Sequence, residues 1–482
     1  MLLDPESCYR AFTTHDPRFD GRMFVGVAST GVYCRPVCTA RRARRENCRF
    51  YVSAAAAERD GFRPCLRCRP ELAPGNASVD AQARLAQAAA SLMEDGLAND
   101  SRLDEIAARL GVTDRHLRRV FQAEFGVTPV EYAQTQRLLL AKRLLTDSTL
   151  PVTQVAFAAG FGSLRRFNAL FSARYRVSPS DFRRHVQTTA AAEALEFELA
   201  YRPPLDWAGL LDFLSARAIA GVESVAGGVY RRTVSLAHRD STHTGWIEVR
   251  RAARGKPALA IRLAPSLSAV IPQVLARVKH LFDLPCDPQS VSERLGPLAA
   301  ARPGLRVPGA FSGFEVAVRA VLGQQVTVKA ARTLAGRFAA RFGTPLETPF
   351  ADLSVAFPDE HRIARADPEE IGELGILRSR VRAIQALAEA LATRTLALEP
   401  MVAVDDTIAR LRALPGFGEW TAQYIAMRAL AWPDAFPASD FGVLKALGES
   451  DPRKALARAE AWRPWRAYAV MHLWNSLAET AR

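Results

Sequence analysis

Four patterns of apolar and polar positions follow one another along the 482 residues. From residue 81 to about His185, apolar residues recur every three or four positions, as in RLDEIAARLGVTDRHLRRVF and PVTQVAFAAGFGSLRRFNALF, which predicts amphipathic helices. From about Leu195 to Asp283, short alternating segments such as ALAIRLAP mix with helical ones and predict an α+β unit. Beyond Cys286 the helical spacing returns in FEVAVRAVLGQQ, RSRVRAIQALAEALA, TIARLRAL, WTAQYIAMRAL and YAVMHLWNSLAE. ELAPGNASVD at 71–80 has the Pro, Gly, Asn and Ser of a connector, and QTTAAAEA at 187–194 is small and weakly patterned. The breaks define four modules, at 1–75, 82–186, 195–285 and 286–482. A length divided by ~150 residues per domain allows for three or more such units, each with its own core.

Charge narrows the partners. Lys plus Arg number 64 against 50 acidic residues, and residues 1–190 alone hold 28 against 19. A hydrophobic content of 49% excludes a disordered basic tail, so the surplus belongs to folded surfaces that attract an anion, nucleic acid or membrane. No run of ~20 apolar residues is present, and MLLDPESCYR lacks the basic and apolar regions of a secretory signal. A cytoplasmic location without a membrane partner is expected. All seven Trp lie after residue 200, five of them from Trp420 to Trp474, so aromatic chemistry concentrates far from the most basic part.

Six of the seven cysteines fall between Cys8 and Cys68, which points to a metal or thiol module rather than to disulfides. CRPVC holds Cys34 and Cys38, PCLRC holds Cys65 and Cys68, and 26 residues separate the pairs. Four soft thiolates in two tight pairs suit one tetrahedral zinc ion per chain, which would add folding energy to a unit with a modest core. Spacing leaves a structural zinc knot, redox thiols and a reactive zinc thiolate all open. FDGRMFVGV, STGVYCRPVCTARRARRENCRF and GFRPCLRC resemble the methyl-accepting module of the Ada family over about residues 5–70. The resemblance implies that Cys34 accepts a methyl group from a DNA methylphosphotriester, with Cys38, Cys65 and Cys68 as the other ligands. Loss of one negative charge at the cluster would then lessen repulsion of the DNA backbone. Arg41, Arg42, Arg44 and Arg45 are candidate phosphate contacts, a solvated charged face being the alternative. Cys48 is expected to pack rather than ligate.

The helical module repeats a plan. A short helix, a turn at Gly111 or Gly160 and a second helix with a basic face are followed by GVTP or RVSP, and Thr113 can cap the first of these second helices. The repeat resembles the AraC-type DNA-binding domain over about residues 84–184. That family places each second helix in a major groove. The implied contacts are His116, Arg118 and Arg119 in one copy and Ser163, Arg165 and Arg166 in the other, to base or phosphate. Leu117, Val120, Phe121, Leu164 and Phe167 are expected in the core.

LRALPGFGEWTAQYIAMRAL reads as helix, tight turn and helix, in which Gly416 and Gly418 permit close approach and free amides at the second helix can hold a DNA phosphate. In DAFPASDFGVLKAL, Asp440 precedes a helical pattern, where a capping carboxylate is common. Together with FEVAVRAVLGQQVTV and WRPWRAYAVMHLW, these segments resemble the helix-hairpin-helix glycosylases of the AlkA type, DNA-3-methyladenine glycosylase II, over roughly residues 196–478. The resemblance makes Asp440 the catalytic carboxylate. It makes Trp420, Tyr424 and Trp474 the aromatic walls for a flipped cationic base, and Gln325 the side chain that fills the gap in the duplex. Bifunctional relatives carry Lys after the position of Glu419; Trp420 here implies a monofunctional enzyme, whose chemistry needs no cofactor. Trp462 and Trp465 are expected in the core, and His472 is expected to be structural.

The expected architecture is therefore multidomain: a small α+β zinc module, an all-α double helix-turn-helix domain, an α+β AlkA-like N-terminal domain and an all-α helix-hairpin-helix glycosylase domain. The implied function is a bifunctional transcriptional activator and DNA repair enzyme. Its partners would be double-stranded DNA, both alkylated and promoter, and RNA polymerase. The PCHR core of the Ada family's other acceptor domain is absent, which argues against direct reversal of O6-methylguanine. Two alternatives remain: a regulator whose glycosylase-like half only recognises damage, and a glycosylase whose zinc module is only structural.

Overall fold

The computed structural model describes residues 4–40, 42–74, 81–94, 103–185, 194–238, 241–253, 255–400 and 403–480. Arg41 lies outside them. The chain forms two compact units. The first comprises Met1–Pro203, Ala252–Ala276 and Leu284–Cys286, and the second Pro204–Arg251, Arg277–Asp283 and Asp287–Arg482.

The first unit begins with helix Pro5–Thr13, which Asp4 starts by accepting from the Ser7 amide at 2.9 Å. Strands Cys48–Tyr51, Phe24–Val27, Val32–Cys34 and Arg63–Pro64 follow side by side in that order. The last is parallel to its neighbour and the others are antiparallel, with Val25 opposite Cys34. Helix Ala54–Arg59, capped by Ser53, packs beside this sheet. Cys8 and Cys48 join Phe12, Met23 and Val25 in a separate apolar cluster. Packing is thus the observed role of Cys48.

The helical region has two copies of one unit. Leu103–Arg109 and Asp114–Phe125 form the first, and Val152–Ala158 and Leu164–Tyr175 the second. Helix Pro129–Asp147 runs between them. Gly111 at φ +69° and Gly160 at φ +83° occupy the turns, where a residue with a Cβ would be strained. Thr113 accepts from the His116 amide and Ser163 from the Arg166 amide, so an equivalent cap starts each second helix. Leu117, Val120, Phe121 and Phe167 are buried as expected. Leu164 is only half-buried, because it is the first residue of its helix, at the edge of the core. Strands Leu195–Ala200 and Ala258–Leu263 pair antiparallel within this unit.

In the second unit, helix Trp207–Arg217 precedes an antiparallel meander of strands Glu223–Ala226, Val229–His238 and Ser241–Arg251. Helices then dominate. A buried ionic cluster ties the meander to helix Gly313–Leu322: Arg319 meets Glu223 at 2.7 Å and Glu315 at 3.0 Å, and Arg232 meets Glu315 at 2.6 Å. Burial works against the charge on Glu223, but Arg319 and Arg232 hold its carboxyl down at about 2. Removing either partner would leave a buried charge uncompensated, so the cluster fixes the helix that leads to Gln325. Trp465 is buried and Trp462 half-buried. His472 is buried, and loss of solvation pulls its imidazole down to about 4, leaving it neutral at pH 7.

Candidate functional site

The two pairs of cysteines converge. The sulfurs of Cys34, Cys38, Cys65 and Cys68 all lie within 4.8 Å of one another, the first three buried and Cys68 half-buried. Strand Val32–Cys34 and its turn supply one pair, and the loop after Arg63–Pro64 the other. An all-thiolate donor set of this closeness fits zinc. Arg35, which sequence reasoning passed over, joins the two pairs: its amide donates to Cys68 Sγ at 3.3 Å and its guanidinium to the Cys68 carbonyl at 3.2 Å. Asp20 fixes that guanidinium, accepting from Arg35 Nε at 2.8 Å.

The neighbouring arginines are not equivalent. Arg42 and Arg44 are exposed. Arg45 pairs with Glu6 at 2.9 Å and lies over the rings of Phe50 and Tyr9, an arrangement that anchors helix Pro5–Thr13. In the helical repeat, Arg119, Arg165, Arg166 and Ser163 are exposed and His116 half-buried. Arg118 is exposed too, although it pairs with Asp114 one turn earlier at 3.0 Å.

In the second unit, the turn 414–418 joins helices Val404–Ala413 and Glu419–Arg428. Gly416 has φ +78°, and an added Cβ would stand 3.0 Å from Ala383 Cβ. Gly418 precedes the second helix without a side-chain cap, and an added Cβ there would meet nothing within 4 Å. The backbone at Gly418 therefore lies open to close approach. Gln324 Nε2 donates to the Gly416 carbonyl and to Thr421 Oγ1, both at 2.9 Å. Next to this anchor, Gln325 is exposed with left-handed backbone, φ +53°.

Asp440 caps helix Phe441–Leu447, its Oδ1 accepting from the Val443 amide at 3.0 Å. Capping is only part of its environment. Oδ1 also accepts from Trp474 Nε1, and Oδ2 from Trp420 Nε1, both at 2.8 Å. Two indoles and a helix start thus fix one half-buried carboxylate. Trp420 stacks on Tyr424 at 5.4 Å between centroids and 16° between planes, and Tyr424 lies 6.4 Å from Trp474. Trp474 in turn stacks on Phe213 at 6.3 Å and 18°. Burial would raise the Tyr424 phenol, yet Arg428, Arg217 and Arg319 outweigh it and lower the phenol from its ordinary value, Arg428 Nη1 donating to the hydroxyl at 2.8 Å.

Known proteins resemble the chain along its length. Residues 7–71 match the family described as "Metal binding domain of Ada" and 106–185 a "Helix-turn-helix domain". Residues 196–312 match the "AlkA N-terminal domain" and 318–466 the "HhH-GPD superfamily base excision DNA repair protein". A Mycobacterium tuberculosis protein named "Probable bifunctional transcriptional activator/DNA repair enzyme AlkA" is 39% identical, over 99% of this chain and 97% of its own. The chain belongs to the bifunctional AlkA family. Escherichia coli "DNA-3-methyladenine glycosylase 2" is 37% identical over 58% of this chain and 96% of its own. Escherichia coli "Bifunctional transcriptional activator/DNA repair enzyme Ada" is 33% identical over 33% of this chain and 43% of its own.

Within this AlkA-type site, four residues escaped the sequence reading: Phe213, Arg217, Arg428 and Gly442. Arg217 lies over the Phe213 ring at 3.8 Å and Arg428 over it at 4.9 Å. Gly442 matters because an added Cβ would stand 2.9 Å from Trp474 Cδ1 and 3.1 Å from Asp440 Oδ1. Gly442→Ala is therefore expected to push the Trp474 indole off the carboxylate and lower kcat/KM for base release by about ten- to a hundred-fold, as misplacement near ~1 Å does. Melting should shift little, since alanine favours a helix interior more than glycine. Steady-state kinetics beside a thermal melt checks this, and wild-type kcat/KM would remove Trp474 placement as the reason for glycine.

Proposed function

We propose that this protein is a bifunctional transcriptional activator and DNA repair enzyme that hydrolyses the N-glycosidic bond of alkylated bases such as 3-methyladenine. The observation that carries the reading is the Asp440 carboxylate, held by Trp420 and Trp474 beside a run of stacked rings. An alkylated purine is cationic and leaves readily, so strong acid at the leaving group is unnecessary. The rings can stack on the flipped base. Asp440 would stabilise positive charge growing on the deoxyribose as the bond lengthens, and orient the water that captures it. Water adds to the sugar carbon and gives up a proton, the base departs neutral with the bonding pair, and an abasic site remains. Trp420 at the position following Glu419 supports a monofunctional enzyme, since an indole forms no Schiff base with the sugar. The chemistry draws on no cofactor.

In the same reading, Cys34, Cys38, Cys65 and Cys68 hold one zinc per chain. When bound, zinc keeps the sulfurs deprotonated near neutral pH. The Cys34 sulfur attacks the methyl carbon of a methylphosphotriester; the carbon–oxygen bond breaks, a thioether forms, and the phosphodiester leaves with the electron pair. Arg41, Arg42, Arg44 and Arg45 would meet the backbone, Arg45 while it also pairs with Glu6. His116, Arg118, Arg119, Ser163, Arg165 and Arg166 would read promoter DNA, and the bound activator would contact RNA polymerase. Gln325 would fill the space of the extruded nucleotide, with Gly416 and Gly418 against the phosphates. The four modules at 1–75, 82–186, 195–285 and 286–482 divide these tasks. Free cysteines suit the reducing cytoplasm. Among the described residues, no helix is long and apolar enough to cross a membrane.

Zinc-loaded protein given methylphosphotriester DNA is expected to gain the mass of one methyl group on the peptide containing Cys34, and Cys34→Ala to gain none. Methylation at another ligand, or no transfer with zinc intact, would overturn the acceptor assignment. A 3-methyladenine duplex tests the other half: the base is released, and the strand breaks only in a later alkaline step.

A further inference from the structure

One short helix of the zinc module touches the far ends of both helices that carry the basic faces. Ser53, which caps helix Ala54–Arg59, donates from Oγ to the Phe125 carbonyl at 2.8 Å. Arg59 donates to the carbonyl of Gly126, which ends helix Asp114–Phe125. Glu58, 1% exposed, reaches the second copy: its Oε2 lies 3.6 Å from Arg174 Nη1, near the end of helix Leu164–Tyr175. The same carboxyl accepts from Thr135 Oγ1 at 3.4 Å, on the helix between the copies. Its other oxygen accepts from Tyr33 at 3.1 Å, and Tyr33 precedes Cys34 in strand Val32–Cys34. Three residues out of seven consecutive ones thus hold the C-terminal ends of both recognition-type helices, while Arg118, Arg119, Arg165 and Arg166 are exposed nearer the N-terminal ends.

A carboxyl this deep is costly unless its partners are in place. Burial pushes Glu58 up to about 7 despite Arg174, Tyr33, Thr135 and Lys142. Displacing Tyr33, helix Pro129–Asp147 or helix Leu164–Tyr175 would expose that cost, while Ser53 and Arg59 tie the same short helix to the end of Asp114–Phe125. Two helices reading one duplex must also match successive major grooves, ~34 Å apart. Alignment of this kind depends on whatever fixes the helices relative to each other.

We propose that Glu58 is a positioning residue for DNA reading: with Ser53 and Arg59 it sets the separation of the two recognition helices, and through Tyr33 it makes that separation answer to the strand bearing Cys34. The proposal rests on the promoter-reading function above and adds where its spacing is set.

The test uses the full zinc-loaded chain and a pool of random duplexes from which bound sequences are selected. Wild type is expected to return two boxes at one fixed separation. Glu58→Ala, with zinc content and base release unchanged, should return the same boxes at several separations, and Glu58→Gln, whose amide oxygen still accepts from Arg174, should keep the single one. If Glu58→Ala loses zinc, Arg174→Ala decides, since it cuts the same link from a half-buried position; it too should lose the single separation. A single wild-type separation in either alanine variant that holds zinc overturns the proposal. An unenriched wild-type pool would instead overturn the promoter-reading function and this proposal with it.

Discussion

Asp440→Asn is expected to lower base release from a 3-methyladenine duplex by about a thousand-fold or more, the scale on which removing transition-state charge stabilisation is felt. The reason lies in what the substitution keeps. Asparagine is as good a helix cap as aspartate, and its amide oxygen can still accept from the Val443 amide and Trp474 Nε1. The amide nitrogen must then face Trp420 Nε1, donor against donor, which loses one charge-assisted hydrogen bond worth about 1.5–3 kcal/mol. The fold therefore survives while the negative charge beside the sugar is gone. Release is measured as free base, abasic sites are revealed afterwards by alkali, and methyl transfer to Cys34 serves as an internal control in the other unit. Release near the wild-type rate would remove Asp440 from the chemistry and make a damage-recognising regulator the better account.

How much of this was legible in the sequence depended on the distance over which each feature is determined. Cys34 and Cys38, or Cys65 and Cys68, are neighbours, and zinc-like spacing within each pair is a local property; their meeting in space needed only a short sheet. Gly111, Gly160 and Thr113 are likewise set by the turn they occupy. Asp440 was ambiguous in isolation because a cap and a reacting carboxylate look alike, and the cap is present in the structure. Phe213 and Arg217 could not be read, since helix Trp207–Arg217 has an ordinary apolar pattern and meets Trp474 from more than 250 positions away. Gly442 needed the position of the Trp474 ring. Charge density did not show that Arg45 pairs with Glu6, 39 positions earlier. Glu58 was not singled out, because nothing in AAAAERD shows that Tyr33 and Arg174, far along the chain on either side, meet its carboxyl.

The second large effect concerns the metal, and its reach is as informative as its size. Cys38→Ser is expected to abolish zinc binding and unfold residues 4–74 while leaving base release intact. The sheet there has strands of only two to four residues, and its parallel edge, Arg63–Pro64, leads into the loop that carries Cys65 and Cys68. Structural zinc supplies an apparent ~10–16 kcal/mol at pH 7, more than so small a core can replace. Arg35 and Asp20 cannot substitute for it, since they brace a loop that the sulfurs define. Phe213, Trp420, Tyr424, Asp440 and Trp474 all belong to the other compact unit. Promoter selection should fail with the zinc, because Ser53, Glu58 and Arg59 then lose the framework from which they grip the recognition helices. Zinc per chain, limited proteolysis within 4–74, base release and duplex selection on one preparation separate these effects. Base release that fell in step with zinc content would show that the excision chemistry depends on the metal module, and would overturn the division of labour that the two sets of residues imply.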